Sequence, residues 1–294
     1  MKYKYQKDLQ IYSKVKLPLN NSLFLKIINK NSDKMFRRAK ANENVNVEHL
    51  VCKCSDGYSM KCLLFSPKVH TGKLNLIIFY HGGGFMVKSS KHHFVLARLL
   101  SEKLNCGVLL PDYRICPGYS YPRITQDAIE IYNYAINKLN TNKILLMGDS
   151  AGGNLAIEVA IHDKTTPKSV LLLYPVIDSS LTSNSMQKFN DTVFWDNKQN
   201  KKMWGMFLKD AINYVPLKRR NNLQELKNVY IEIAEFDCLR DEGIAFANQL
   251  QDLNVKVLLT KTQGTMHAYD VAYKSDFIRN LNLRRIKWIK EYFK

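Results

Sequence analysis

The sequence contains no run approaching 18 uninterrupted apolar residues, which argues against a membrane-spanning helix. Its opening, Met1-Lys2-Tyr3-Lys4-Tyr5-Gln6-Lys7, lacks the apolar stretch of a secretory signal, so the expectation is a soluble, cytoplasmic protein. None of the six cysteines (Cys52, Cys54, Cys62, Cys106, Cys116, Cys238) forms a C-x-x-C pair, and no Cys/His spacing resembles a zinc site. They read as reduced, buried, small apolar residues, and no metal is expected. Acidic residues are scarce: 26 Asp and Glu stand against 44 Lys and Arg, leaving a net charge of +18. Such a surplus can serve nucleic acid or an anionic membrane. Here the basic residues are dispersed, with knots only at Arg37-Arg38, Lys218-Arg219-Arg220 and Arg284-Arg285, and no nucleic-acid motif surrounds them. The surplus therefore reads as solvated surface, with neither nucleic acid nor stable membrane insertion expected. Glycine is scattered and no period recurs, which excludes collagen-like and solenoid chains. With 294 residues, 46% of them apolar and 11% aromatic, a single α/β-sized domain with a large core is the natural reading.

Apolar spacing supplies the order of elements. A helical pattern holds Leu23, Phe24, Ile27 and Ile28; alternating segments over residues 47–54 and 60–65 flank the hairpin signal Asp56-Gly57. Then strands and helices alternate: strands over residues 74–80, 107–111, 143–147 and 169–174, with helices over 94–104, 124–139 and 155–161. Short connections in that rhythm imply a parallel sheet covered on both faces. From about residue 179 to 228 the rhythm breaks into turn residues and aromatics, including Phe189, Phe194, Trp195, Trp204, Phe207 and Tyr214. It resumes with a strand over 229–234, a helix over 242–253, a strand over 255–260 and a final amphipathic helix over 277–293. The predicted core is residues 47–178 and 229–294, with segments 1–46 and 179–228 outside it.

Two glycine-containing motifs lie where a sheet of this kind carries chemistry. Gly148-Asp149-Ser150-Ala151-Gly152 is a G-x-S-x-G between a strand and a helix, the setting of a nucleophile elbow. The turn is sharp enough to put the serine at positive φ and to crowd the positions two before and two after it, where only Gly148 and Gly152 fit. A turn serine that merely caps the helix is the plainer alternative. His81-Gly82-Gly83-Gly84-Phe85 follows the 74–80 strand, and its backbone N–H groups are free to face a developing negative charge. No phosphate-loop or dinucleotide pattern is present, so no cofactor is expected. A serine nucleophile on this fold takes its acid and base in the order Ser, Asp or Glu, His. His162 ends the helix that Ser150 begins, too far along to reach back, whereas His267 lies in a loop just past a strand. For the acid, Asp237 follows the 229–234 strand; its rivals are Glu235 and Asp241, the latter expected to cap the next helix.

Together with Asp112-Tyr113-Arg114, Tyr174-Pro175 and Asp237-Cys238-Leu239-Arg240-Asp241-Glu242, these motifs resemble the hormone-sensitive-lipase-like branch of the α/β-hydrolase esterases, over roughly residue 58 to the C-terminus. The resemblance implies an eight-stranded, mostly parallel sheet with helices on both faces. It also implies a helical cap formed by segments 1–46 and 179–228, and an oxyanion hole formed by Gly82, Gly83 and the N–H of Ala151. His81, Gly84, Gly148, Asp149 and Gly152 are then supporting motif positions. One departure stands out: the family usually carries a Glu after the proline that follows Tyr113-Arg114, and here Pro117 is followed by Gly118.

The expected activity is that of a serine carboxylesterase acting on small esters of short-to-medium acyl length, because aromatic cap segments favour an enclosed pocket. An aryl-formamide or other activated amide hydrolase would use the same triad. A peripheral lipase would use the Leu23, Phe24, Ile27, Ile28 stripe as an anchor, although such stripes more commonly pack. An inactive ligand-binding relative is disfavoured by the presence of His267. A homodimer is an expectation from the resemblance alone.

Overall fold

The computed structural model describes residues 2–19, 21–162, 168–212 and 214–294, so Met1, Asn20 and Asn213 of the two outer segments lie outside it. Eight strands form one sheet in the order β1-β2-β4-β3-β5-β6-β7-β8. These are β1 (Val45–Lys53), β2 (Ser59–Pro67), β3 (Leu74–Tyr80), β4 (Gly107–Pro111), β5 (Thr141–Asp149), β6 (Lys168–Leu173), β7 (Leu226–Phe236) and β8 (Lys256–Met266). The Asp56-Gly57 hairpin makes β1 antiparallel to β2, and β2 is antiparallel to β4; the remaining neighbours are parallel. The sheet is flanked by α2 (Lys91–Leu104), α3 (Arg123–Lys138), α4 (Ala151–His162), α7 (Arg240–Asp252) and α8 (Asp276–Phe293). Outside it lie α1 (Ser22–Arg37), α5 (Asn184–Lys188) and α6 (Asn197–Phe207).

Alternation along the strands builds two cores. In β3, Leu76, Ile78 and Tyr80 face the layer containing Ala128, Ile131, Leu155 and Phe246, while Ile77 and Phe79 face the layer containing Leu96, Leu100, Ile278 and Leu281. Strands buried on both faces must be apolar at every position, which is why they read as continuous hydrophobic runs. All six cysteines are free and buried.

Element edges differ from the expectation in informative ways. The helix expected over 155–161 begins at Ala151, because Gly152 and Gly153 act there as close-packing residues: a Cβ on Gly152 would lie 1.9 Å from the Tyr80 carbonyl oxygen. β1 and β7 begin at Val45 and Leu226 rather than 47 and 229. β8 continues six residues past 260, to Met266, still paired with β7 at Phe236.

The topology decides where chemistry can sit. From β3 the chain moves outward to β4 on one side, then returns to place β5 on the other. That reversal leaves a crevice at the carboxyl ends of β3 and β5, where open α/β sheets bind their ligands. The triple-glycine loop and Ser150 are the residues that follow those two ends.

Candidate active site

Ser150 occupies the one-residue junction between β5 and α4 at φ 51°. A non-glycine residue there is strained, and its surroundings hold it: its N–H donates to the Leu173 carbonyl (2.8 Å), and its own carbonyl accepts from Val176 and Gly153 (3.0 Å each). Any side chain on Gly148 would collide with the Gly152 carbonyl, 2.1 Å from the Cβ position.

The serine is not isolated. His267 Nε2 lies 2.8 Å from Ser150 Oγ, and His267 Nδ1 lies 2.7 Å from Asp237 Oδ2. Asp237 follows directly on β7 and His267 on β8, so adjacent parallel strands deliver both. The Asp237 carboxylate is 1% exposed and accepts the Leu239 N–H through its other oxygen (2.9 Å), which fixes its plane. An ionised acceptor on that side calls for the Nδ1–H tautomer, leaving the Nε2 lone pair for the serine hydroxyl. The rival carboxylates are engaged elsewhere. Glu235 accepts the Gly264 N–H (2.6 Å), and Asp241 accepts from Ser185 N–H and Arg240 Nε (both 2.8 Å). The expectation that Asp241 caps the following helix is corrected: it lies inside the first turn of α7, and its carboxylate instead binds the start of α5. His162 is exposed at the far end of α4.

The oxyanion assignment also needs correction. The Gly82 N–H donates to Asp149 Oδ1 (2.8 Å) and is not available to a substrate. No protein acceptor takes the N–H groups of Gly83 or Gly84 among the described residues, and Ala151 stands at the open first turn of α4. Gly83 (φ 123°) and Gly84 (φ 58°) adopt backbone conformations that strain any other residue. The N–H groups left open at the site are therefore those of Gly83, Gly84 and Ala151, one residue along from the expected glycine pair. Gly82 instead ties the loop to the elbow.

Asp149 is the other end of that tie. Burial alone would raise its pKa, but the His93 imidazole and the Gly82 N–H outweigh burial and hold it down at about 2. His93 accepts the Ser90 N–H at Nδ1 (2.8 Å), so its hydrogen is on Nε2 and points to Asp149 (3.2 Å). His92, His93 and Asp149 are close enough in space to suggest a metal site. The tautomer argues against one, since the His93 nitrogen that faces Asp149 carries a proton rather than a lone pair.

His81 supports the loop from below. Its Nδ1–H donates to the Gly82 carbonyl (2.7 Å), and its ring stacks on Tyr113 at 4.3 Å between centroids. Complete burial pushes the imidazole down to about 3. An unfolded histidine titrates near 6.5, so stability is full above that pH. It falls by about 1.4 kcal/mol per pH unit as acidification charges only the unfolded chain. Urea titrations between pH 7 and pH 4 are expected to show this loss, and His81→Gln is expected to flatten it by about one proton.

Beneath His267, Tyr174 presents its ring edge at 4.9 Å and donates its hydroxyl to Asp270 (2.9 Å). Asp270 is gripped by the fully buried Arg285 of α8 (2.6 Å), which also binds Glu232 of β7. This network ties the histidine loop to a strand and a helix. In front of Ser150 is a cavity of ≈ 240 Å³, walled mainly by Leu17, Leu19, Ile28, Phe194, Trp195 and Val271. Trp195 lies 5.9 Å from the His267 ring. Segments far apart in sequence thus roof one site.

A sequence profile of the alpha/beta hydrolase fold matches residues 77–271, about two thirds of the chain, including both glycine motifs, Ser150, Asp237 and His267 but not the cavity walls Leu17, Leu19 and Ile28. The chain belongs to this family, that of the hormone-sensitive-lipase-like esterases. The hydrolase is 28% identical over 228 residues to the arylesterase of Saccharolobus solfataricus, covering 73% of this chain and 74% of that one. It is 25% identical over 251 residues to the ethyl acetate hydrolase of Pseudomonas putida, covering 78% and 77%. An esterase from Mycobacterium marinum shares its fold, with a TM-score of 0.88 at 22% identity over 99% of this chain and 96% of that one. Gly118, where the resemblance leads to the expectation of a Glu, is exposed outside the cavity wall, and the Asp112-Tyr113-Arg114 stretch is held by Arg114 Nε bonding both oxygens of Asp127 (3.1 and 2.9 Å). Nothing in the expected site included His92 or His93, and Trp195 figured only among the aromatics of segment 179–228. The consecutive histidines at the start of α2, directly after the glycine loop, were the available signal.

Proposed function

We propose that the hydrolase is a serine carboxylesterase that works through an acyl-enzyme on Ser150. The observation that carries this reading is the unbroken hydrogen-bonded run from Asp237 through His267 to Ser150 Oγ. In the reading, His267 Nε2 takes the hydroxyl proton as Ser150 attacks the ester carbonyl, and Asp237 holds the tautomer and stabilises the imidazolium. Charge developing on the carbonyl oxygen meets the N–H groups of Gly83, Gly84 and Ala151, each such donor being worth about 3–4 kcal/mol of barrier. His267 then passes its proton to the leaving alcohol and activates the water that releases the acid. Family membership and the esterase relatives support the class of reaction.

Segments 1–46 and 179–228 act in this reading as a cap: Leu17, Leu19 and Ile28 come from the first, Phe194 and Trp195 from the second. A cavity of ≈ 240 Å³ lies below the roughly 300–1,000 Å³ usual for ligand sites, which favours short acyl chains. Each added methylene contributes about 0.8 kcal/mol only while it finds buried space. Across nitrophenyl esters from acetate to palmitate, kcat/KM is expected to rise or hold to about butyrate or hexanoate and then fall steeply. High rates on palmitate, or a jump at a lipid interface, would overturn the short-chain reading in favour of a lipase.

A further inference from the structure

Among the polar groups that wall the cavity, most are already engaged. Ser150 and His267 are bonded to each other, and His93 and Asp149 form a second pair, with the Ser90 N–H bound to His93. His92 is different. Its ring lies against His93 at 3.9 Å between centroids and lines the cavity, yet no hydrogen-bond partner for either of its nitrogens is found among the described residues. His92 is only partly exposed, so a ligand that fills this mostly apolar cavity cuts its ring nitrogens off from water and must supply their hydrogen bonds itself. Burial, reinforced by His93, pushes the His92 imidazole down to about 3. Its position in the first turn of α2, at the positive end of the helix dipole, works in the same direction. The ring is therefore neutral where the enzyme works, and it offers one N–H and one lone pair.

We propose that His92 is a specificity residue, and that the substrate arm filling this cavity carries a neutral hydrogen-bonding group, a hydroxyl or a carbonyl, on a short apolar frame. The inference rests on the esterase reading of the same site. Charged arms fit less well. A carboxylate would meet a neutral imidazole whose ligating atom lies within 4.8 Å of that of the ionised Asp149. An ammonium would find the Asp149 oxygens already taken by Gly82 and His93. Apart from the Gly83 and Gly84 N–H groups, which face the reacting carbonyl in this reading, the other walls are mainly the apolar side chains of Leu17, Leu19, Ile28, Val87, Phe194 and Val271.

The test uses the full-length enzyme and two matched pairs. On the acyl side these are nitrophenyl butyrate and nitrophenyl 3-hydroxybutyrate; on the alcohol side, butyl acetate and 3-hydroxybutyl acetate. Wild type is expected to favour the hydroxylated ester by about tenfold or more in kcat/KM in at least one pair, because an arm that cannot pair with the His92 ring shuts it off from water without replacing the lost hydrogen bond. His92→Leu is expected to abolish or invert that ratio, and His92→Gln to restore part of it. A wild type that prefers the unsubstituted ester in both pairs overturns the proposal, even if no variant folds. So does a ratio untouched by His92→Leu. Turnover of the unsubstituted esters separately reports the esterase reading: no hydrolysis of any ester defeats that reading, whereas hydrolysis without discrimination defeats only the role of His92.

Discussion

Replacing Asp237 by Asn is expected to lower kcat by about 10⁴-fold without unfolding the protein, the size of effect seen when the equivalent acid of a serine protease triad is changed in the same way. The reason is the tautomer. An amide at position 237 turns its NH₂ toward His267 Nδ1 whenever its carbonyl keeps the bond from the Leu239 N–H. The imidazole proton then moves to Nε2, and the base loses the lone pair that faces Ser150. Shape and volume change little, so the thermal midpoint is expected to stay near wild type. Glu235→Gln and Asp241→Asn are the controls, because those carboxylates bond Gly264 and Ser185 rather than the histidine. If either control were inactive while Asp237→Asn stayed active, the acid would have been misassigned. Initial rates on nitrophenyl acetate decide it.

Ser150→Ala and His267→Ala are each expected to cost on the order of 10⁶-fold in kcat, with the double variant no worse than either single one. A nucleophile without its base and a base without its nucleophile are equally idle. What remains in each case is binding plus the donors at Gly83, Gly84 and Ala151, which supply a residual enhancement of about 10³–10⁴ over water. Additive losses in the double variant would mean that the two residues act in separate steps, contrary to the 2.8 Å contact between them. Ser150→Ala removes only the hydroxyl and keeps the Cβ, so the strain at φ 51° stays, since alanine is no freer there than serine.

Much of this architecture was legible in the residues themselves. The strand–helix rhythm was readable because strands buried on both faces must be apolar throughout, and the elbow because backbone contacts at Gly148 and Gly152 leave no room for a Cβ. The order of Ser150, Asp237 and His267 followed from where strands end. What sequence could not supply was the destination of individual hydrogen bonds. Three glycines in a row offer three N–H groups, and only coordinates reveal that Gly82 spends its own on Asp149, moving the donor group to Gly83 and Gly84. Asp241 looked like a helix cap because local spacing cannot foresee Ser185 arriving from the insertion. The adjacent histidines of α2 stand out along the chain, but the place of His92 in the site was hidden for a similar reason. Nothing in its neighbours along the chain says that Leu17, Phe194 and Val271 converge on it to make an apolar cavity.

The central claim, that Ser150 is the nucleophile of an acyl-transfer site, is tested most directly by covalent labelling with an organophosphate such as diethyl nitrophenyl phosphate, read by intact mass and peptide mapping. One adduct per chain is expected, on the peptide containing Gly148-Asp149-Ser150-Ala151-Gly152, with activity lost in proportion and no adduct on the Ser150→Ala variant. Inactivation that proceeds with the label on another serine, or full labelling of Ser150 with ester hydrolysis undiminished, would contradict it.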